Sequence, residues 1–246
     1  MLTAAVLALV FPSSARAFDF SAWDGILKQN TRRSVYQGVA YAGFDYAAIL
    51  NSREFARLLA DLEAFSPETL RGRDEKMAFW INAYNIFAVS LVLQNYPVKG
   101  IKDAGTLFTP VWKVRAGKVG GKPYTLDYIE HEILRPMGEP GVHFAIVCAS
   151  VSCPDLRAEA YRPTNLADQL DSQLGEFLRN PGKGLRTEQG SRTAHLSKIF
   201  RWYEKDFDKA GGALNFINRR LGDSLAIPKE YAIKYMPYIW ELNSVR

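Results

Sequence analysis

DEKMAFWINAYNIFAVSLVLQNY, residues 74–96, decides the fold. Apolar side chains occupy nearly every face of a helix drawn over this stretch, so it has no single buried stripe. Such a helix either spans a membrane or runs through the middle of a folded domain. Asn82, Asn85 and Ser90 interrupt the apolar surface, and inside hydrocarbon their polar groups would find no water. We therefore read a central helix buried on all sides. Its two amides, at i and i+3, need internal partners. They either hold backbone groups of neighbouring loops or line an active-site floor.

The flanking segments supply the packing partners. Ser52 caps an amphipathic helix carrying Phe55, Leu58, Leu59, Leu62 and Phe65. Ser66 and Pro67 read as a cap and first turn ahead of the central helix. VWKVRAGKVGGKPYTL, residues 111–126, predicts a hairpin turning near Lys118, and Thr125 then caps a helix through Arg135. Val142 to Cys148 reads as a short strand, Ala149 to Ser152 as a turn, and Cys153 as the cap of a helix with Pro154 in its first position. Thr164 to Leu178 is amphipathic, residues 180–192 read as a polar loop, and AHLSKIFRWYEKDF as a strand end followed by a helix capped by Ser197. AIKYMPYIWELN, 232–243, predicts a closing strand. No repeat or linker divides these segments, which gives one α+β domain.

Residues 1–17 have the pattern of a secretory leader: an apolar run from Leu2 to Phe11, a break at Pro12, and Ala15-Arg16-Ala17 before the cleavage point. No Lys or Arg precedes the apolar run, and an uncleaved anchor is the alternative. Cleavage leaves 18–246 as the domain, without a membrane span, secreted or periplasmic. The formal charge of +5 is spread over mixed acidic and basic residues rather than a stripe, which gives nucleic-acid binding no support. Two cysteines, Cys148 and Cys153, are too few for a disulfide framework. Their short spacing makes a local, reversible bridge the most that pairing them would give.

The chemistry concentrates around these cysteines. On an ideal helix from Leu126, Glu130 falls about 40° round the wheel, inside the face formed by Leu126, Ile129, Ile133 and Leu134. A carboxylate so placed needs a partner. His143, on the next element, is the expected one. Cys153 at a helix start and near an imidazole would be a stabilised thiolate. This predicts Cys153 as nucleophile, His143 as base and Glu130 as the group orienting the imidazole, with backbone amides near Ser152 and Cys153 and an amide from Asn82 or Asn85 facing the oxyanion. The reaction class is hydrolysis or acyl transfer at an amide bond of a peptide-like or other small substrate. No cofactor or metal is required. Three alternatives stand beside it: a cell-envelope binding module with a structural Cys148–Cys153 disulfide, a thiol–disulfide redox protein, and a zinc site using His143, Cys148 and Cys153, whose spacing fits no strong zinc pattern. Ser150 and Ser152 lack a nucleophile elbow, and His131 and His195 read as surface and structural residues.

Five segments in order, FWINAYNIFAV (79–89), LDYIEHEILR (126–135), HFAIVCASVSCPDLRAEAY (143–161), LSKIFRWYEKDF (196–207) and YIWELN (238–243), resemble the domain of unknown function 547 family over residues 35–243. That family is similar to permuted, papain-like thiol enzymes of the NlpC/P60 type. The resemblance implies a papain-like core, with the buried helix packed on a small antiparallel sheet. It also implies a Glu, His, Cys order that maps to Glu130, His143 and Cys153, with Cys148 as a redox lock on Cys153.

Overall fold

A computed structural model describes residues 17–105, 109–222 and 226–246. The expected leader therefore lies, as far as residue 16, outside the described residues. Helix α1, Ser21–Asn30, leads into the hairpin β1, Thr31–Tyr36, and β2, Val39–Phe44. The short helix α2, Tyr46–Ile49, precedes α3, Arg53–Ala64, where the Ser52 hydroxyl accepts the Phe55 amide as expected of a cap.

Helix α4, Arg73–Gln94, is the axis of the molecule, buried without a break from Met77 to Val92. By length and apolar content it could cross a membrane, but other parts of the chain cover 89% of its most apolar window. The residues after Pro67 form only a 3-10 turn, Pro67–Thr69, and α4 starts afresh at Arg73. Hairpin β3, Arg115–Val119, and β4, Lys122–Thr125, turns at Gly120-Gly121 and lies on α4. At Gly117 a side chain would collide with the Phe87 ring, so the missing Cβ is what lets strand and helix approach.

Asn82 and Asn85 take the first of their two predicted roles. Asn82 donates to the Tyr161 carbonyl and accepts from the Tyr161 amide, both at 2.9 Å. Asn85 does the same for the Ala145 carbonyl and Val147 amide, also at 2.9 Å. The central helix thus grips both flanks of segment 143–161. With both amides spent on backbone, neither Asn82 nor Asn85 lines the site floor or faces an oxyanion.

That grip explains why Val142 to Cys148 is not a strand. Pro140–Phe144 is a 3-10 helix, Ala145 and Ile146 donate back to Val142, and the Val147 amide goes to Asn85 rather than to a neighbouring strand. Side-chain amides replace the ladder.

Helix α5, Leu126–Tyr128, continues as a π-helix over Ile129–Leu134. Further on come α6, Leu166–Leu178, β5, Leu185–Glu188, β6, Thr193–Leu196, α7, Ile199–Trp202, α8, Glu204–Asp208, α9, Ala213–Leu221, and β7, Ala232–Tyr235. Strand β5 occupies the predicted polar loop. Its alternation is masked because all four residues are exposed or half-buried on a sheet edge. The sheet β5-β6-β7 is mixed, since β6 pairs antiparallel with β5 and parallel with β7. It covers a second apolar cluster built on Phe144, Phe177, Phe200, Phe207 and Phe216, whereas α4 belongs to the first. The fold is α+β in one domain, but the central helix packs on a hairpin and on helices rather than on one antiparallel sheet.

Candidate functional site

Segment 143–161 lies between the two apolar clusters, and a cavity of about 440 Å³ opens there. Glu130, His143, Cys148 and Cys153 all line it. The structure thus brings the four predicted residues to one place, but it changes how they are connected.

Thr125 caps the helix that carries Glu130, accepting the Tyr128 amide at 3.0 Å. The π-turn that follows alters the ideal wheel, yet Glu130 remains buried, 8% exposed. Burial raises its pKa, with the neighbouring Tyr203 hydroxyl opposing. Oε1 has no partner among the described residues. No hydrogen bond joins Glu130 to His143.

The imidazole partner is instead Asp206 on α8. Its Oδ2 lies 2.9 Å from His143 Nε2. Arg135, from the turn after the π-helix, fixes Asp206 with two bonds, Nε to Oδ2 at 2.7 Å and Nη2 to Oδ1 at 3.1 Å. Although burial alone would raise the Asp206 pKa, the hydrogen bonds from Arg135 and His143 hold it below the usual carboxylate range. Tyr203 stacks on the imidazole, with 3.8 Å between centroids and 19° between planes. A carboxylate on Nε2 places the ring proton there, so Nδ1 carries the free lone pair. Nδ1 is buried without a partner. Burial lowers the His143 pKa to about 4 and so keeps the ring neutral, with the Asp206 bond opposing. Asp206 was missed in the sequence because its residue numbers lie far from His143, although it sits in the LSKIFRWYEKDF segment already singled out.

The two cysteines differ in their surroundings. No helix follows Cys153, so no helix dipole points at its sulfur. Its chain direction is set by a buried lysine instead: Lys183 donates to the Cys153 carbonyl at 2.9 Å and to Asp155 Oδ1 at 2.6 Å, with Val151 O at 3.5 Å. Cys153 is 3% exposed, and burial followed by the neighbouring Cys148 thiol pushes its pKa well up. Cys148 is half-buried on the cavity wall. Burial pushes its pKa up, but hydrogen bonds from Cys153, Ser150 and Tyr238 outweigh this and bring it to about 7. The Ser150 and Tyr238 hydroxyls lie 3.0 and 3.2 Å from its sulfur. The Cys148 amide donates to Cys153 Sγ at 2.8 Å, and both cysteines are free thiols. Ala149, just after Cys148, has φ of 54°, a left-handed conformation that turns the chain sharply at the thiol.

The expected oxyanion amides are occupied, Ser152 N bonding to Ile239 O and Cys153 N to Ser150 O. Neither thiol is hydrogen-bonded to His143. Among the described residues, no three His, Cys, Asp or Glu side chains converge as metal ligands, so His143, Cys148 and Cys153 do not form the zinc set considered above. His131 sits at the cavity edge between Asp127 and Arg135, and His195 pairs with Glu188.

No curated protein and no solved structure matches the chain. Residues 67–178, which carry Glu130, His143 and both cysteines but not Asp206, match the family model described as "Protein of unknown function, DUF547".

Proposed function

We propose that the chain is an exported thiol-dependent hydrolase or acyltransferase acting on an amide-type bond. Cys148 is the nucleophile, His143 the acid–base group and Asp206 the group that orients it. The observation that carries this reading is a half-buried thiol, held by the Ser150 and Tyr238 hydroxyls, in the wall of a cavity that also holds the His143 imidazole. The Asp206–His143 bond, with Nδ1 unpaired, is the arrangement a general base requires. The missing thiol–imidazole bond accords with free enzymes, whose catalytic hydrogen bonds tighten on substrate binding.

In this reading His143 Nδ1 takes the Cys148 thiol proton as the sulfur attacks the carbonyl carbon, the amide C–N bond breaks, and the amine leaves with that same proton returned from Nδ1. Water or a second amine, losing its proton to the same nitrogen, then cleaves the thioester and restores the thiol. The Ser150 and Tyr238 hydroxyls, 3.0 and 3.2 Å from the sulfur, are the donors beside a developing oxyanion. The chain order, histidine before cysteine, supports a permuted relationship to papain-like enzymes.

The test is turnover of a panel of chromogenic amides by the wild type and by Cys148→Ser, Cys153→Ser and His143→Gln. Loss in Cys148→Ser and His143→Gln supports the proposal. Retention in Cys148→Ser with loss in Cys153→Ser would restore the sequence-based nucleophile.

A second reading, a thiol–disulfide redox protein, is favoured by the contact between the Cys148 amide and Cys153 Sγ and by the opposite pKa shifts of the two thiols. A half-buried thiol of lowered pKa beside a fully buried one is the pattern of an attacking and a resolving cysteine. This reading predicts a reversible Cys148–Cys153 disulfide that equilibrates with glutathione. The hydrolase reading predicts that such a disulfide only inactivates.

A further inference from the structure

Two features of the cavity go beyond the mechanism above, in which only Tyr238 of the second was used. One is Glu130. Its expected place beside His143 is taken by Asp206, and its Oε1 remains buried and unpartnered in the cavity wall. A buried carboxyl oxygen without a donor is unfavourable, and a ligand that brings a donor removes that penalty. The other is an aromatic wall. Trp202, Tyr238 and Trp240 are mutually packed with centroids 4.6–5.7 Å apart, and Tyr238 is the residue that touches the Cys148 sulfur. Trp202 is 45% exposed, a large ring left facing the solvent.

This wall already holds a cation. The Lys102 ammonium lies 3.5 Å from the Trp240 ring centroid, which shows that the aromatic face accepts an ammonium group. The charges around the cavity favour another. Asp127 and Glu130 are carboxyl groups, Cys148 supplies a thiolate near neutral pH, and Lys102 is the one lysine or arginine in the lining.

We infer that the thiol cavity recognises a substrate bearing a free primary ammonium group, which pairs with Glu130 Oε1 while the exposed Trp202 ring packs against it. The inference rests on the proposed thiol chemistry and names its substrate class: amides that carry an unblocked amine within a few bonds of the carbonyl that Cys148 attacks. An ammonium beside Glu130 also stabilises the carboxylate form that burial disfavours, so ligand and side chain support each other's charge.

Three thiol reagents, cationic, neutral and anionic, test this without any turnover assay: 2-aminoethyl, methyl and 2-sulfonatoethyl methanethiosulfonate, with labelling of each cysteine followed by mass spectrometry. Rates are taken relative to a free thiol, which removes intrinsic reactivity. The expected result is about a tenfold preference of Cys148 for the aminoethyl over the methyl reagent. This falls to about threefold or less in Glu130→Gln and also in Trp202→Ala, whose ring is exposed enough to be removed without unfolding the core. Asp127→Asn is the control for a general field effect, because Asp127 already faces His131 at 3.7 Å. An equal fall in Asp127→Asn, or no charge preference in the wild type, overturns the ammonium site and leaves the thiol chemistry standing. Failure of all three reagents to label Cys148 overturns both.

Discussion

Replacing Lys183 by methionine tests how the Cys153 loop is held. The lysine side chain is 1% exposed and its Nζ serves two carbonyls and the Asp155 carboxylate. Methionine fills the aliphatic volume but leaves those three acceptors without their donor. Breaking a fully buried ion pair typically costs about 3–5 kcal/mol. Asp155 is 35% exposed and retains the Ala42 amide at 2.7 Å, so it rehydrates in part and the loss falls at the lower end, about 3 kcal/mol. For a chain of this length that lowers the melting temperature by roughly 6–12 °C. The structural consequence is local. With Val151 and Cys153 released, the Cys148 amide no longer reaches Cys153 Sγ, and the buried thiol opens to solvent. Urea unfolding gives the stability, and alkylation of the native protein by iodoacetamide gives the Cys153 reactivity. A loss below about 1 kcal/mol with unchanged Cys153 alkylation would refute the role assigned to Lys183.

Three further outcomes follow from the site and the core. Burial keeps native His143 neutral down to about pH 4, while an unfolded histidine takes its proton near 6.5. The unfolded chain then binds more protons in that window, so stability declines as pH falls from 6.5 to 4, by at most about 3 kcal/mol; His143→Gln flattens this slope in urea titrations, and an unchanged slope contradicts it. Asp206→Asn removes the charge that two Arg135 bonds and His143 Nε2 share, so amide turnover drops by about 10²–10⁴ with little change in KM; steady-state kinetics showing a KM effect alone would count against an orienting role. Gly117→Ala drives a methyl group into the Phe87 ring and destabilises the protein by about 1–3 kcal/mol in thermal unfolding, whereas a neutral result would mean that β3 and α4 can separate freely.

The elements that read clearly in the sequence are those whose stability comes from their own pattern. Helix α4 was legible from its unbroken apolar run, α3 from its Ser52 cap and stripe, and the β3–β4 hairpin from Gly120-Gly121. The wheel also singled out Glu130 as the buried carboxylate, although the turn there is π rather than α. What the pattern could not contain is pairing at long range. Val142 to Cys148 reads as a short apolar strand, but its Ala145 carbonyl and Val147 amide are claimed by Asn85, some 60 residues earlier. The His143 partner lies 63 residues later on α8, and the residue that steers Cys153 is a lysine in a segment that reads as a solvated loop. Glu130 was paired with His143 because both needed partners and were close in sequence. Tyr203 and Asp206, which take those places, carry no local mark of doing so. The same holds for the cysteines. Proline after Cys153 suggested a helix start, yet Asp155 is drawn to Lys183 and Ala42, and the chain runs on without forming one.

The identity of the reactive thiol is the centre of the account, and site-resolved alkylation across pH measures it most directly. Reduced protein is pulsed with iodoacetamide between pH 5 and 10, and the rate at each cysteine is read by mass spectrometry. Cys148 is expected to react first, with a midpoint near pH 7, and Cys153 to remain protected until well above the ordinary thiol range. Faster labelling of Cys153, or a Cys148 midpoint at the ordinary thiol value of about 8.5, would contradict it.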